Sequence, residues 1–241
     1  MERLTTLHDE LAGRFVSGDR LVYLGNYLGP GAQGPAVLDE LVAFRRLALT
    51  SPGAEPWDIA YLRGVQEEMW QKLLQLQFAP NPLEVFDWML KHGLGAPLSA
   101  YGQDPEEGRG RCREGVVSLT RWTGRLAAAM HARPGHDELF AAIRRYATTG
   151  PGGLLFVHAG VDPRRPLSEQ GDAFWWGGAY FDAMDAPYEG YRRVVRGADR
   201  QRRGLLAAAE RLSLDGGAGQ SGPLVAAALD PDGAVVDLIE A

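Results

Sequence analysis

Cysteine is nearly missing: Cys112 stands alone among 241 residues. That excludes an internal disulfide framework and a thiolate metal cluster, and its setting, RGRCR, reads as an exposed loop thiol. No apolar stretch reaches the roughly 18 residues of a membrane span, and the leading MERLTTLHDEL is too charged for a signal peptide. Cytoplasmic localisation is therefore expected. A basic excess is also lacking. The net charge of −6 and pI near 5.4 argue against generic nucleic-acid binding. Repeats, low-complexity tracts and long linkers are absent, so the chain reads as a single domain over residues 1–241. What is present, 45% hydrophobic and 23% charged residues, is the balance of an ordinary globular protein with a substantial core.

Leu4, Leu7, Leu11 and Phe15 recur at helical spacing over 3–16, and Arg20–Leu24 is a short strand-forming run ahead of the glycine-rich turn Gly25–Gly34. Helical spacing returns over Pro35–Leu49, with Val37, Leu38, Leu41, Val42 and Leu47 available for burial. Ile59–Leu62 reads as a buried strand and Glu67–Phe78 as a helix whose leading acids suit the dipole. Met69, Trp70, Leu73, Leu74 and Phe78 are its core residues. Val85–His92 reads as a helix, Gln103–Arg113 as a polar glycine-rich loop, and 115–131 and 136–149 as helices. Strands are expected at Leu154–His158, Arg193–Val195, Leu212–Leu214, Leu224–Leu229 and Ala234–Ile239, with Asp230–Gly233 (DPDG) as a hairpin turn. The order gives an α/β class with a later antiparallel segment.

A glycine turn after a buried strand can cradle an anion on its backbone N–H groups. Gly25–Gly31, however, has neither the lysine of a Walker loop nor dinucleotide-fingerprint spacing. Other segments of the same order carry more. Gly25-Asn26-Tyr27-Leu28-Gly29-Pro30-Gly31, Leu62-Arg63-Gly64-Val65-Gln66-Glu67, His158-Ala159-Gly160-Val161-Asp162-Pro163, Gly197-Ala198-Asp199-Arg200 and Leu214-Asp215-Gly216-Gly217-Ala218-Gly219 follow one another along nearly the whole chain. In that order they resemble the motifs G-D-x-x-D-R-G, L-R-G-N-H-E, H-A-G-x-x-P, G-H-T-P and L-D-T-G-A of the calcineurin-like metallophosphoesterases. Within that family, the resemblance is to the bacterial serine/threonine protein phosphatase and diadenosine-tetraphosphatase branch.

The resemblance implies a sandwich of two facing mixed β-sheets flanked by helices. The family's first strand, with its D-x-H, has no counterpart; either the true start lies upstream or neighbouring strands close the gap. The resemblance also implies two divalent metals (Mn, Fe or Zn) roughly 3.5–4 Å apart that generate a hydroxide nucleophile. The aligned positions do not supply the ligands. Asn26 replaces the bridging carboxylate, Val65 the asparagine ligand, Gln66 the histidine acid, Ala198 the last histidine and Pro30 the phosphate-clamping arginine. His158 alone is kept. No cofactor is expected on this reading, and hydrolysis should fail.

Each remnant has a plain alternative. His158, closing an apolar strand, is either a hydrogen-bonded structural residue or a vestigial metal ligand. Arg63 either grips a phosphate, caps carbonyls or pairs with Glu67 or Glu68. Glu67 and Asp199 are the speculative partners of His158 in a one-metal site. Trp175–Trp176 with Phe174 and Tyr180 form an aromatic packing cluster or a stacking wall, and the arginines of 192–203 a solvated surface or an anion patch. Of two functions, a non-catalytic phosphatase-like protein that binds a phosphorylated ligand or a protein is expected over an active phosphoesterase with a rebuilt metal site or incomplete N-terminus, because an upstream D-x-H would still leave Asn26, Val65, Gln66 and Ala198 without the family's groups. No nucleic-acid or membrane partner is expected, and the sequence leaves the oligomeric state open.

Overall fold

In a computed structural model describing residues 1–241, the elements follow the sequence pattern closely over the first 80 residues. Glu2–Ala12 (α1), Leu21–Tyr23 (β1), Gly34–Ala48 (α2), Ile59–Tyr61 (β2) and Val65–Leu73 (α3) lie where periodicity places them. Helix α3 stops at Leu73, so Phe78 falls in a separate 3-10 turn and is 79% exposed rather than in the core. Leu47 is likewise exposed, in the last turn of α2. Pro82–Met89 (α4) and Gly95–Ala100 (α5) follow.

The stretch expected to be a loop is a helix, Pro105–Glu114 (α6). Asp104 caps it by accepting from Glu106 N at 3.0 Å, Pro105 occupies the first turn, and Glu107 pairs with Arg111 at 2.9 Å; each is a helix-favouring device. Its glycines mislead because one is there for packing. A β-carbon on Gly108 would sit 2.7 Å from Phe86 and 2.8 Å from Trp122. Cys112 therefore lies on a half-buried helix face, and burial pushes its thiol up to about 11.

Val116–His131 (α7) and His136–Ala142 (α8) come next. The helix expected over 136–149 gives way to a strand, Tyr146–Thr148 (β3), because that segment pairs with Leu154–Val157 (β4), Tyr146 opposite Val157. Ala173–Trp176 (α9) and Gly178–Asp182 (α10) precede Arg193–Arg196 (β5), Gly204–Ala207 (β6), Arg211–Asp215 (β7), Val225–Leu229 (β8) and Val235–Glu240 (β9). Strand β6 escaped sequence reading. No helix is long and apolar enough to cross a membrane.

The chain forms two compact units. The first comprises Met1–Gly25, Phe44–Val65 and Ala142–Ala241. In it β1 and β2 pair in parallel. A five-stranded sheet has the order β3-β4-β5-β7-β6, with β4, β5 and β7 parallel and the two edges antiparallel. The central strands bury Leu154, Leu155, Val157, Val194, Val195 and Leu212, as parallel strands covered on both faces do. Leu155, Val157 and Val194 pack with Val161, Phe174, Trp175, Phe181, Met184 and Tyr188 into one core. Strands β8 and β9 form the expected hairpin, with Gly233 at φ 82° and the Asp230 carboxylate accepting from Asp232 N and Ala234 N.

The second unit, Asn26–Ala43 with Gln66–Ala141, is helical. Phe86 of α4 meets Trp122 of α7 edge-on at 5.5 Å over the Gly108 seat of α6. Buried His136 links Tyr101 (2.7 Å) to Asp39 (2.9 Å).

Candidate functional site

Parallel strands bring their carboxyl ends to one edge of a sheet, where loops commonly carry a site. In the first unit four such ends converge. Leu24–Gly25 leaves β1, Arg63–Gly64 follows β2, His158 ends β4 and Gly197–Ala198 ends β5. The Nδ1–H of His158 donates to the Leu24 carbonyl at 2.7 Å, and the His158 carbonyl accepts from Gly197 N (3.1 Å) and Ala198 N (2.9 Å). Gly25 has φ 100°, and a β-carbon there would lie 2.7 Å from Gly64 N and 2.8 Å from His158 Nδ1. Only glycine allows that approach. Gly197 is pressed more closely still, since a β-carbon there would lie 2.3 Å from Leu24 Cβ.

His158 is 1% exposed. Burial pushes its imidazole down from 6.5 to about 4, against the opposing pull of the Leu24 carbonyl and the Asp215 charge. The ring is neutral near pH 7 with its proton on Nδ1, and the buried Nε2 has no hydrogen-bond partner in the protein. Its lone pair is therefore available as an acceptor or ligand.

Arg63 is fixed through its backbone: N donates to Arg144 O at 2.7 Å, and the carbonyl accepts from Trp175 Nε1 at 3.0 Å. Its guanidinium lies 5.9 Å from the Trp175 ring centre, a cation–π distance. Trp175 and Phe174 are buried in the core, so the aromatic cluster is packing. Tyr180, partly exposed, stacks under Arg164 at 5.4 Å.

In the second unit Asn26, Gln66 and Glu67 do come together. Asn26, at φ 67°, accepts the Gln66 N–H on its Oδ1 at 3.2 Å and so caps the free amino end of α3. The fully buried Glu67 carboxylate accepts from Asn26 N (2.8 Å) and Leu28 N (3.0 Å), holding the glycine turn. Gln66 Nε2 donates to His92 O at 2.9 Å.

Asp199 belongs to an ion cluster. Its carboxylate takes Arg203 Nε at 2.7 Å and Arg196 Nη2 at 3.2 Å, and Asp182 takes the same two arginines at 2.6 and 3.1 Å. Burial pushes the Asp199 carboxyl up, but Arg203, the Gln201 N–H and Arg196 outweigh it and hold it below the usual range. Arg196 is fully buried, 4.1 Å over the Phe181 ring and bonded to Ser213 Oγ at 3.0 Å. The run 192–203 is thus neither a wholly solvated surface nor an open anion patch. Arg196 and Asp182 were missed as structural residues, since a charge run gives no sign of which member turns inward.

No three His, Cys, Asp or Glu side chains gather into a group that could hold a metal ion. No protein-family model, curated protein or solved structure matches this chain.

Proposed function

We propose that this chain is a calcineurin-like, phosphatase-type protein that has lost hydrolysis and binds a phosphorylated ligand, free or carried by a partner protein, in a cytoplasmic setting. The β1–β2 pair and the five-stranded sheet would be the two faces of the family's sandwich. The observation that carries the reading is the convergence of four strand ends on His158, with Arg63 as the nearby fixed cation. The Arg63 main chain is held by Arg144 O and Trp175 Nε1, and arginine is the side chain that matches a phosphoryl oxygen pair.

The residues do not fit a two-metal centre. Val65 and Ala198 carry no donor, and the Asn26 amide oxygen already accepts the Gln66 N–H. His158 Nε2 offers one neutral ligand, whereas two adjacent dications need bridging anions. That same buried lone pair is the one observation favouring the second reading, an active hydrolase with a rebuilt site.

The test has two arms. After loading with Mn²⁺ and dialysis, mass spectrometry should find substoichiometric metal, and p-nitrophenyl phosphate should not be turned over. Calorimetric titration with inorganic phosphate should give a binding signal that Arg63→Ala removes. Stoichiometric metal with turnover abolished in His158→Ala would establish the second reading instead.

A further inference from the structure

In the helical unit, side chains from three elements form one hydrogen-bonded chain. The hydroxyl of Tyr101, just past α5, meets Nδ1 of His136 at the head of α8 at 2.7 Å, and His136 Nε2 meets Asp39 Oδ1 of α2 at 2.9 Å. A carboxylate only accepts, so Nε2 carries the imidazole proton, Nδ1 is bare, and the phenol donates to it. His136 is fully buried and Tyr101 is 5% exposed, while the Asp39 side chain is 50% exposed and also takes Arg133 at 3.2 Å. The chain thus runs from a buried phenol to a carboxylate at the solvent.

Pinning α2 to α8 accounts for the Asp39–His136 bond; the surroundings of Tyr101 go further. Its ring lies 5.0 Å from that of Trp70, centre to centre. Trp70 and Trp122 are fully buried, and the indole Nε1 of each has no hydrogen-bond partner. An electron removed from either indole leaves a buried cation whose proton has nowhere to go, which is costly in an apolar interior. Tyr101 differs in having a neutral base on its hydroxyl. Burial pushes that hydroxyl up, above the ordinary 10, so the phenol holds its proton until an electron leaves.

We infer that Tyr101 is a redox-active tyrosine, the residue at which a one-electron oxidation of the helical unit comes to rest. The oxidant is an external one-electron acceptor, such as a peroxyl radical, acting directly or through Trp70. One electron passes from the phenol to the oxidant, the O–H bond breaks, and the proton moves to Nδ1 of His136. The products are a neutral phenoxyl radical, the reduced oxidant and an imidazolium facing Asp39. That charge-assisted pair stabilises the imidazolium, so no unpaired charge is left inside the unit. An electron from a reductant and the proton from His136 then restore the phenol. The chemical consequence is protection: an oxidised indole hands its electron deficit to a side chain that can be reduced again.

Photogenerated tris(bipyridine)ruthenium(III), a one-electron oxidant, is applied to the full chain, and radicals are read by electron paramagnetic resonance after freeze-quenching. Tyr146 and Tyr180, 37% and 39% exposed, will also be oxidised, but their radicals meet solvent and each other and vanish first. In the wild type a tyrosyl signal should outlive them and should form more slowly in heavy water, because a proton moves with the electron. Tyr101→Phe, which keeps a ring against Trp70, should lose that signal and show a tryptophan radical in its place. His136→Gln, with unchanged circular dichroism, should lose it too. A wild type with no surviving tyrosyl signal overturns the inference, as does a signal that persists in Tyr101→Phe or in folded His136→Gln. So does a wild-type signal that forms equally fast in heavy water, a measurement that stands even where a variant fails to fold.

Discussion

The Nδ1–H of His158 and the carbonyl oxygen of Leu24, 2.7 Å apart, tie the end of β4 to the end of β1. This bond fixes the imidazole tautomer and orients its lone pair inward. It also gives the histidine a thermodynamic signature. Its folded pKa, about 4, lies below the ordinary 6.5. The unfolded chain therefore binds the extra proton first as pH falls. Stability should be full above about pH 6.5 and decline through the window down to about pH 4, by about 3 kcal/mol in all. Urea unfolding of wild type and His158→Gln at several pH values isolates this contribution. The wild type should lose more stability across that window, and parallel curves would refute the assignment.

Gly25→Ala should be disproportionately damaging for a single methyl group. The new carbon would meet backbone at Gly64 and the His158 ring, and the residue would still need φ 100°. We expect a loss of about 2 kcal/mol or more, measured as a lower urea midpoint. Gly110→Ala, where a β-carbon meets nothing within 4 Å, should be neutral or slightly stabilising, since alanine favours the helix.

Glu67 is a carboxylate used as a loop clamp. Glu67→Gln keeps one acceptor but turns an amide N–H₂ toward a backbone donor, Asn26 N or Leu28 N. The expected cost is about 1–3 kcal/mol. Amide exchange at Asn26 and Leu28 should accelerate more than at Leu94, a buried residue of the same unit. Uniform acceleration across the unit would show that the clamp is not local.

Arg196→Met should preserve the packing on Phe181 while leaving Asp182 and Asp199 with Arg203 alone. We expect a loss of about 3 kcal/mol, seen in the denaturation midpoint. Arg202→Ala, at an exposed arginine of the same run, should change it by less than about 0.5 kcal/mol.

The strands that build the His158 junction were legible because β1, β2, β4 and β5 are short apolar runs broken by glycine or polar residues, and the β8–β9 hairpin because DPDG specifies its own turn. Helix α6 was obscured by its glycines, although Asp104, Pro105 and the acidic-to-basic gradient signalled it; only the packed structure shows that Gly108 serves Phe86 and Trp122. Strand β3 reads as helix locally and becomes strand through its partner β4. Phe78 and Leu47 fit their helical faces, but burial also depends on where a helix ends. In the candidate site, Asn26, Gln66 and Glu67 were marked by motif order, and the structure joins them through backbone N–H groups that no side-chain pattern reveals.

Arg196 also bears on the order in which the first unit can assemble. Its guanidinium finds Asp199 just beyond its own strand, Asp182 on α10 and Ser213 on β7. A half-built sheet, with β5 docked but α10 or β7 still unravelled, would strand a cation in an apolar interior. Such intermediates are raised in free energy relative to both ends of the reaction, so the arginine sharpens the folding transition. Val194 and Leu212 amides should then exchange through one common opening event, and in Arg196→Met they should separate into two.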